Sequence, residues 1–263
     1  RPTVKPAKKK GRGFLGRMTP EQLKAWHKVM DPKNEAFRKA NLTGKELAKW
    51  KFQRYAKLFL ACIKSVDDNV GRVLTYLKDN DLMDNTIVIY SADQGFYLGE
   101  HGWFDKRWMY EESFRMPFIA MWKGKIKPGQ TNTDLIQNLD YAQTFCELAG
   151  AKASNECQGQ SLVPLMMGKT PADWRKSMYY HYHGDGGHGV PSHYGISDGR
   201  YKLVRYYRSG AQNEWELIDT KTDPNELSNV YSDMRYKTVV ERLKNELAGM
   251  RQHYKDDKGK AME

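Results

Sequence analysis

Apolar residues recur at three- and four-residue steps through "LTGKELAKWKFQRYAKLFLACIKSVDDNVGRVLTYLKDNDL", where Tyr55, Leu58, Phe59, Cys62, Val66, Val70, Val73, Leu74 and Leu77 form one stripe. That period predicts a long amphipathic helix. Gly71 lowers helix propensity in its middle and predicts close packing against a neighbour. Upstream, "MTPEQLKAWHKVM" reads as a short helix, with Thr19 at the N-cap, Pro20 in the first turn and Gln22 near the capping-box position. Downstream the pattern changes to "NTIVIYSA", a continuous β-branched run of the kind found in a buried strand. "MPFIAMW" predicts a second strand, and "DLIQNLDYAQTFCELAG" another amphipathic helix, with Gly150 placed as its C-terminal cap. Helix and strand thus alternate over 45–150, which predicts an α/β fold with a mostly parallel sheet.

After Gln160 the character shifts. "SMYYHYHG", "HYGISDGRYKLVRYY" and "NEWELIDTKTDPNEL" are aromatic, β-rich and punctuated by turn residues, and predict antiparallel strands. "RYKTVVERLKNELAGMRQHY" closes the chain as a helix with Val239, Leu243, Leu247 and Met250 on one side. The expected organisation is a basic arm and short helix (1–44), an α/β portion (45–175) and a small antiparallel sheet with a covering helix (176–263).

The totals add three bounds. The 263 residues, 40% apolar and 29% charged, suit a globular chain with a sizeable core. No apolar run is long enough to span a bilayer. The net charge of +11 attracts polyanions. Much of it sits in "RPTVKPAKKKGRG", which reads either as a solvated basic arm or as a phosphate- or sulfate-contacting one. No nucleic-acid-binding signature accompanies it, so nucleic acid is not an expected partner. The three cysteines show no metal spacing. Cys62 and Cys146, on apolar helical patterns, are expected to be buried thiols.

The chemistry concentrates after the first strand, in "TIVIYSADQGFYLGEHGWFDKR". In open α/β sheets ligands bind beyond the carboxyl ends of strands, where Asp93 and Gln94 emerge. A carboxylate beside a side-chain amide offers hard oxygen donors, suited to calcium or magnesium rather than zinc. Gly95, Gly99 and Gly102 let the chain turn, so His101 and Lys106 can return to the same region. The alternative is an exposed polar loop in which Asp93 caps the next turn.

"YSADQGFYLGEHGWFDKRWMYEESFRMPFI" resembles the second signature of the type I sulfatases of the alkaline-phosphatase superfamily. The shared features are Asp93-Gln94-Gly95, Gly99-Glu100-His101-Gly102, Lys106 and Met116-Pro117. "FLACIKSVDDNVGRVLTYL" resembles that family's preceding helix, and the segment from "HYGISDGRYKLVRYY" to "EWELIDTKTDPNELSNV" its C-terminal subdomain. The likeness is strongest to glycan sulfatases, including those acting on N-acetylglucosamine 6-sulfate. It implies that Asp93 and Gln94 are ligands of a calcium ion, with magnesium the second candidate. Lys106 would contact the sulfate, and His101 would orient the loop or touch a ligand. Arg107 neighbours the site. His188 and His193, in "YYHYHGDGGHGVPSHYG", read either as substrate contacts or as solvated loop residues. The spacing of the histidines in that stretch does not match a tetrahedral zinc set. Trp103 and Trp108 are able to stack on a sugar, although core packing is the default for aromatics.

The resemblance also exposes a gap. These sulfatases use a formylglycine made within a Cys/Ser-x-Pro/Ala-x-Arg motif, and no such motif is present; nor is the family's Asp-Asp-containing first strand. Two oxygen donors are too few for calcium, and a sheet short of strands leaves an apolar edge and face. The chain is therefore expected to be the C-terminal part of a sulfuric ester hydrolase acting on a sulfated carbohydrate. It would be inactive alone and complemented by an N-terminal half, in a periplasmic, secreted or lysosomal-type compartment. A phosphodiesterase or phosphonate hydrolase of the same superfamily, and a non-catalytic polyanion-binding module, are the alternatives.

Overall fold

The computed structural model describes residues 13–184, 188–207 and 214–256, apart from the Phe14 side chain. Most of the basic arm lies outside these residues. The chain divides into two compact units, one ending at Val66 and the other beginning at Asp67.

In the first unit, α1 (Pro20–Ala40) starts where the capping residues place it. Thr19 Oγ1 accepts from the Gln22 N–H, and Gln22 Oε1 accepts from the Thr19 N–H. The helix runs on through Pro32 and stops at Asn41 in a left-handed conformation, so it is longer than the apolar pattern predicted. The second helix, α2 (Gly44–Asp79), follows the predicted stripe but buries none of its residues. Two expectations fail with it. Cys62 is exposed, and a side chain at Gly71 would meet nothing within 4 Å, so that glycine marks no close approach. Cys146, on α4, is half-buried.

The second unit begins its sheet with β1 (Ile87–Ser91). The chain next forms β2 (Tyr97–Leu98), β3 (Phe104–Asp105), the single-turn α3 (Glu111–Phe114) and β4 (Phe118–Trp122). β1 and β4 pair antiparallel, from Ile87 opposite Trp122 to Ser91 opposite Phe118. The mostly parallel arrangement expected from helix–strand alternation is not what these strands form. Parallel neighbours need a crossover, usually a full helix, and the link between them holds only a short two-stranded ribbon and one helical turn. Tyr90, Ile119 and Met121 remain exposed on this pair, as expected of a sheet short of strands. α4 (Asp140–Leu148) and α5 (Val163–Met166) follow, with Gly150 in the expected positive-φ position.

The remaining residues build an antiparallel sheet in the order β5 (Met178–Tyr182), β6 (His193–Ser197), β7 (Tyr201–Tyr206), β8 (Glu214–Asp219), covered by α6 (Lys237–His253). Tyr194, Ile196, Leu203 and Leu217 pack against Val240, Leu243 and Leu247 of the helix, with Val239 and Met250 beside them. The opposite face of the sheet carries the loop between β3 and β4. A side chain at Gly195 would lie 2.4 Å from the Leu203 carbonyl oxygen and 2.6 Å from Met109 Sδ, so glycine is what lets Met109 seat there.

Candidate active site

The polar loop after β1 is tied down at one buried residue. Ser113 accepts the Gly95 N–H at its carbonyl (2.8 Å) and the Arg107 N–H at its hydroxyl (2.9 Å). The turn bearing Asp93 and Gln94 and the loop bearing Lys106 therefore share an anchor. Gly95 has no alternative there, since a Cβ would fall 2.0 Å from the Glu112 carbonyl oxygen. From the other side, Asn138 Nδ2 donates to the Asp93 carbonyl at 3.0 Å. Two residues on, Asp140 is fully buried and paired with both terminal guanidinium nitrogens of Arg175. Asp140 also accepts the backbone N–H groups of Gln137 and Gln160, each at 2.8 Å.

Lys106 sits between two residues with left-handed backbone, Asp105 (φ 105°) and Arg107 (φ 104°), and His101 adds a third at φ 54°. Non-glycine residues pay for such angles, and strain of this kind concentrates at functional sites. The Arg107 guanidinium pairs with Asp105, and the Arg107 carbonyl accepts from the Tyr180 hydroxyl at 2.9 Å. Among the described residues, no hydrogen bond or ion pair engages the side chains of Asp93, Gln94 or Lys106.

His101 stacks on Tyr110 with ring centres 4.3 Å apart, meets Tyr97 edge-on, and places Nε2 3.5 Å from Glu112 Oε2. Tyr110 in turn donates to Glu216, which also accepts from Tyr206 at 2.7 Å. Burial pushes the Glu216 carboxyl above its usual range, as it does the Tyr110 and Tyr206 hydroxyls. A second tie lies alongside: buried Lys202 contacts Glu111 and Glu226, each at 2.6 Å. Burial raises both carboxyls; at Glu111 the charges and hydrogen bonds of Lys202 and Arg115 together outweigh it, and the carboxyl ends below its usual range, whereas Glu226 ends above.

The two loop histidines separate. His188 is exposed, and its neighbour Gly189 lies against Trp103. His193 is fully buried: its ring sits among Trp108, Tyr180, Tyr182 and Tyr206, and Nδ1 faces the Pro191 carbonyl at 2.8 Å. It therefore supports the floor beneath the loop. Burial lowers its pKa to about 4.

Residues 20–151 match the family described as Sulfatase, and residues 99–253 the one described as N-sulphoglucosamine sulphohydrolase, C-terminal. The chain belongs to the sulfatase family. An N-acetylglucosamine-6-O-sulfatase of Bacteroides thetaiotaomicron is 43% identical over 244 residues, covering 92% of this chain and 43% of that protein. The solved structure of BT4656 in complex with its substrate D-glucosamine-2-N,6-O-disulfate superposes with a TM-score of 0.85 at 42% identity, covering 93% of this chain and 50% of that one. The phosphonate monoester hydrolase of Agrobacterium radiobacter is more distant, with a TM-score of 0.65 and 25% identity over 73% of this chain and 40% of that one. The chain thus spans half or less of the length of these relatives. The likeness places it with the alkaline-phosphatase-like sulfatase fold.

Sequence reasoning named Asp93, Gln94 and Lys106 as candidates but missed the residues that hold their loops in this sulfatase chain. Ser113, Asn138, the Asp140–Arg175 pair and the Lys202–Glu226 tie lie on other elements, and no spacing along the chain links them to Asp93. The nearest signal was the polar character of Glu111-Glu112-Ser113 just before an apolar strand.

Proposed function

We propose that this chain forms one side of the catalytic centre of a metal-dependent sulfatase that removes sulfate from a sulfated carbohydrate. The observation that carries the reading is the common anchoring of the 93–95 turn and the 105–107 loop on Ser113, with Asp93, Gln94 and Lys106 left free to engage a ligand. The substrate class follows the relatives, one named as an N-acetylglucosamine-6-O-sulfatase and one in complex with a disulfated glucosamine.

The donor set fits a hard cation. Asp93 and Gln94 would hold Ca2+, or less favourably Mg2+, through oxygen. Two donors fall short of the roughly six to eight that calcium takes, so the other ligands are assigned to residues outside this chain. When bound, the cation supplies positive charge to a sulfate oxygen. Lys106 donates to the sulfate and offsets charge that builds as the S–O bond breaks. His101, fixed by Tyr110 and Glu112, holds the loop. Arg107 is steadied by Asp105 and supports Lys106 from the adjacent position. His188, exposed beside the Trp103-backed turn, is the proposed sugar contact. The nucleophile, a formylglycine, and the rest of the sheet are assigned to an N-terminal half. A periplasmic, secreted or lysosomal-type compartment belongs to the same proposal.

The test is to assay the longer protein on a 6-O-sulfated glucosamine and on phosphonate and phosphodiester esters. Sulfate ester hydrolysis is expected to dominate, and Lys106→Ala is expected to lower kcat/KM by about 100-fold or more. Dominant phosphonate turnover would support the reading suggested by the phosphonate monoester hydrolase likeness. Salt-sensitive glycan binding without turnover, surviving Asp93→Ala and Lys106→Ala, would instead identify a binding module.

A further inference from the structure

We propose that His181, His183 and Asp256 form a second metal site, separate from the Asp93 centre and suited to a zinc-class divalent cation. Their potential ligand atoms all lie within 4.8 Å of one another. His181 and His183 alternate on β5, so both project from one face of that strand. Their rings lie side by side, with centres 3.6 Å apart. Asp256 comes from the far end of the chain, which is why the histidine spacing alone showed no set.

The aim of Asp256 is built into the end of α6. Asp256 N–H donates to the Arg251 carbonyl at 2.9 Å and Lys255 N–H to the Gln252 carbonyl at 3.1 Å, with Lys255 at φ 53°. That is a Schellman-type ending, carried by a lysine where glycine is the usual choice. It turns the next side chain back toward β5, where the Asp256 carboxylate meets His181 Nδ1 and accepts from the Tyr179 hydroxyl at 2.6 Å.

The surroundings have the form of a ligand shell. His181 Nε2 contacts the Tyr207 hydroxyl at 2.5 Å, which fixes the ring and leaves Nδ1 as the atom facing Asp256. A metal-binding imidazole is commonly held in this way through its other nitrogen. Among the described residues, no hydrogen bond or ion pair engages His183. The group opens onto a cavity of about 360 Å³ lined by Gln137, Gln158, Tyr254 and Lys255, which leaves room for water or an anionic ligand at a fourth position. Two imidazoles and one carboxylate suit zinc and its neighbours in the first transition row, whereas calcium prefers oxygen alone. The two sites should therefore sort metals by donor type.

The intact protein, stripped with a chelator and carrying Asp93→Asn to weaken the other centre, is titrated with Zn2+ alone against a chromophoric zinc indicator. Bound metal is then counted after gel filtration. Retention of one zinc per chain is expected, falling to background in His183→Gln and in Asp256→Asn. His183 is exposed, so its substitution leaves the fold intact, which far-ultraviolet circular dichroism checks. Cobalt(II) should give the visible bands of a low-coordinate nitrogen–oxygen site in the parent and not in His183→Gln. Equal zinc retention by parent and His183→Gln, or none by the parent, overturns the proposal.

Discussion

His193 shows how a single side chain reports on packing. Its ring is enclosed by Trp108 and three tyrosines, and protonating it there means burying a charge. Its pKa is lowered to about 4. The unfolded chain binds the proton below about pH 6.5 while the folded chain does not, so the stability from this group is present above that value and is lost as pH falls toward 4. From about pH 7.5 to about pH 5 the loss comes to about 2 kcal/mol. His193→Gln keeps a donor for the Pro191 carbonyl but cannot titrate. Urea unfolding of the intact protein at the two pH values should show the parent losing about that much more than the variant. Identical losses would mean the ring is charged or solvated when folded. The sequence made His193 a loop candidate because it follows a glycine-rich stretch. Nothing local announces that β6 is buried along its whole length, with α6 over Tyr194 and Ile196 and the loop between β3 and β4 over His193 and Gly195.

That two-sided burial makes β6 the element on which the site depends. The loop between β3 and β4 rests on the sheet through Met109 over Gly195, Tyr110 on Glu216 and Glu111 on Lys202. Gly195→Ala would force a methyl against the Leu203 carbonyl oxygen, which cannot yield without shifting the strand, and against the end of the Met109 side chain, which must re-seat. The expected cost is about 1–3 kcal/mol of unfolding free energy, read as a lower urea midpoint, with kcat/KM of the longer protein falling as Lys106 moves. A variant with unchanged midpoint and unchanged activity would show that the loop is held elsewhere. At this scale the sequence was informative wherever the cause is local. The Thr19–Gln22 capping box, the Gly150 ending, the three β-rich segments and the apolar side of α6 all depend on near neighbours in the chain. The direction of β4 relative to β1 does not: it depends on whether the intervening residues form a crossover, and these fold into a ribbon tied to Ser113 instead. The Cys62 expectation failed for a related reason, because an apolar stripe predicts that a helix has a buried side but not that the described residues supply its cover.

For the molecule as a whole, the decisive feature is apolar surface left open on the β1–β4 pair. Tyr90, Ile119 and Met121 are exposed on the β1–β4 pair at 42%, 64% and 41%. A cavity of about 1180 Å³ runs along β4 past Ile136, Leu162 and Leu165. A two-stranded sheet with such a face is marginal in water, and an apolar area of this kind usually meets other protein. The relatives are about twice as long as this chain. Produced by itself, the chain is therefore expected to bind an apolar dye, to self-associate as its concentration rises, and to leave sulfate esters intact. Ile119→Ser with Met121→Ser should weaken both dye binding and association, because the charge and core of the β5–β8 sheet are untouched. The longer protein should bind little dye at equal concentration. A dye-silent monomer of the isolated chain would show that this face is covered from within, and sulfate ester turnover by that monomer would place the nucleophile inside these 263 residues.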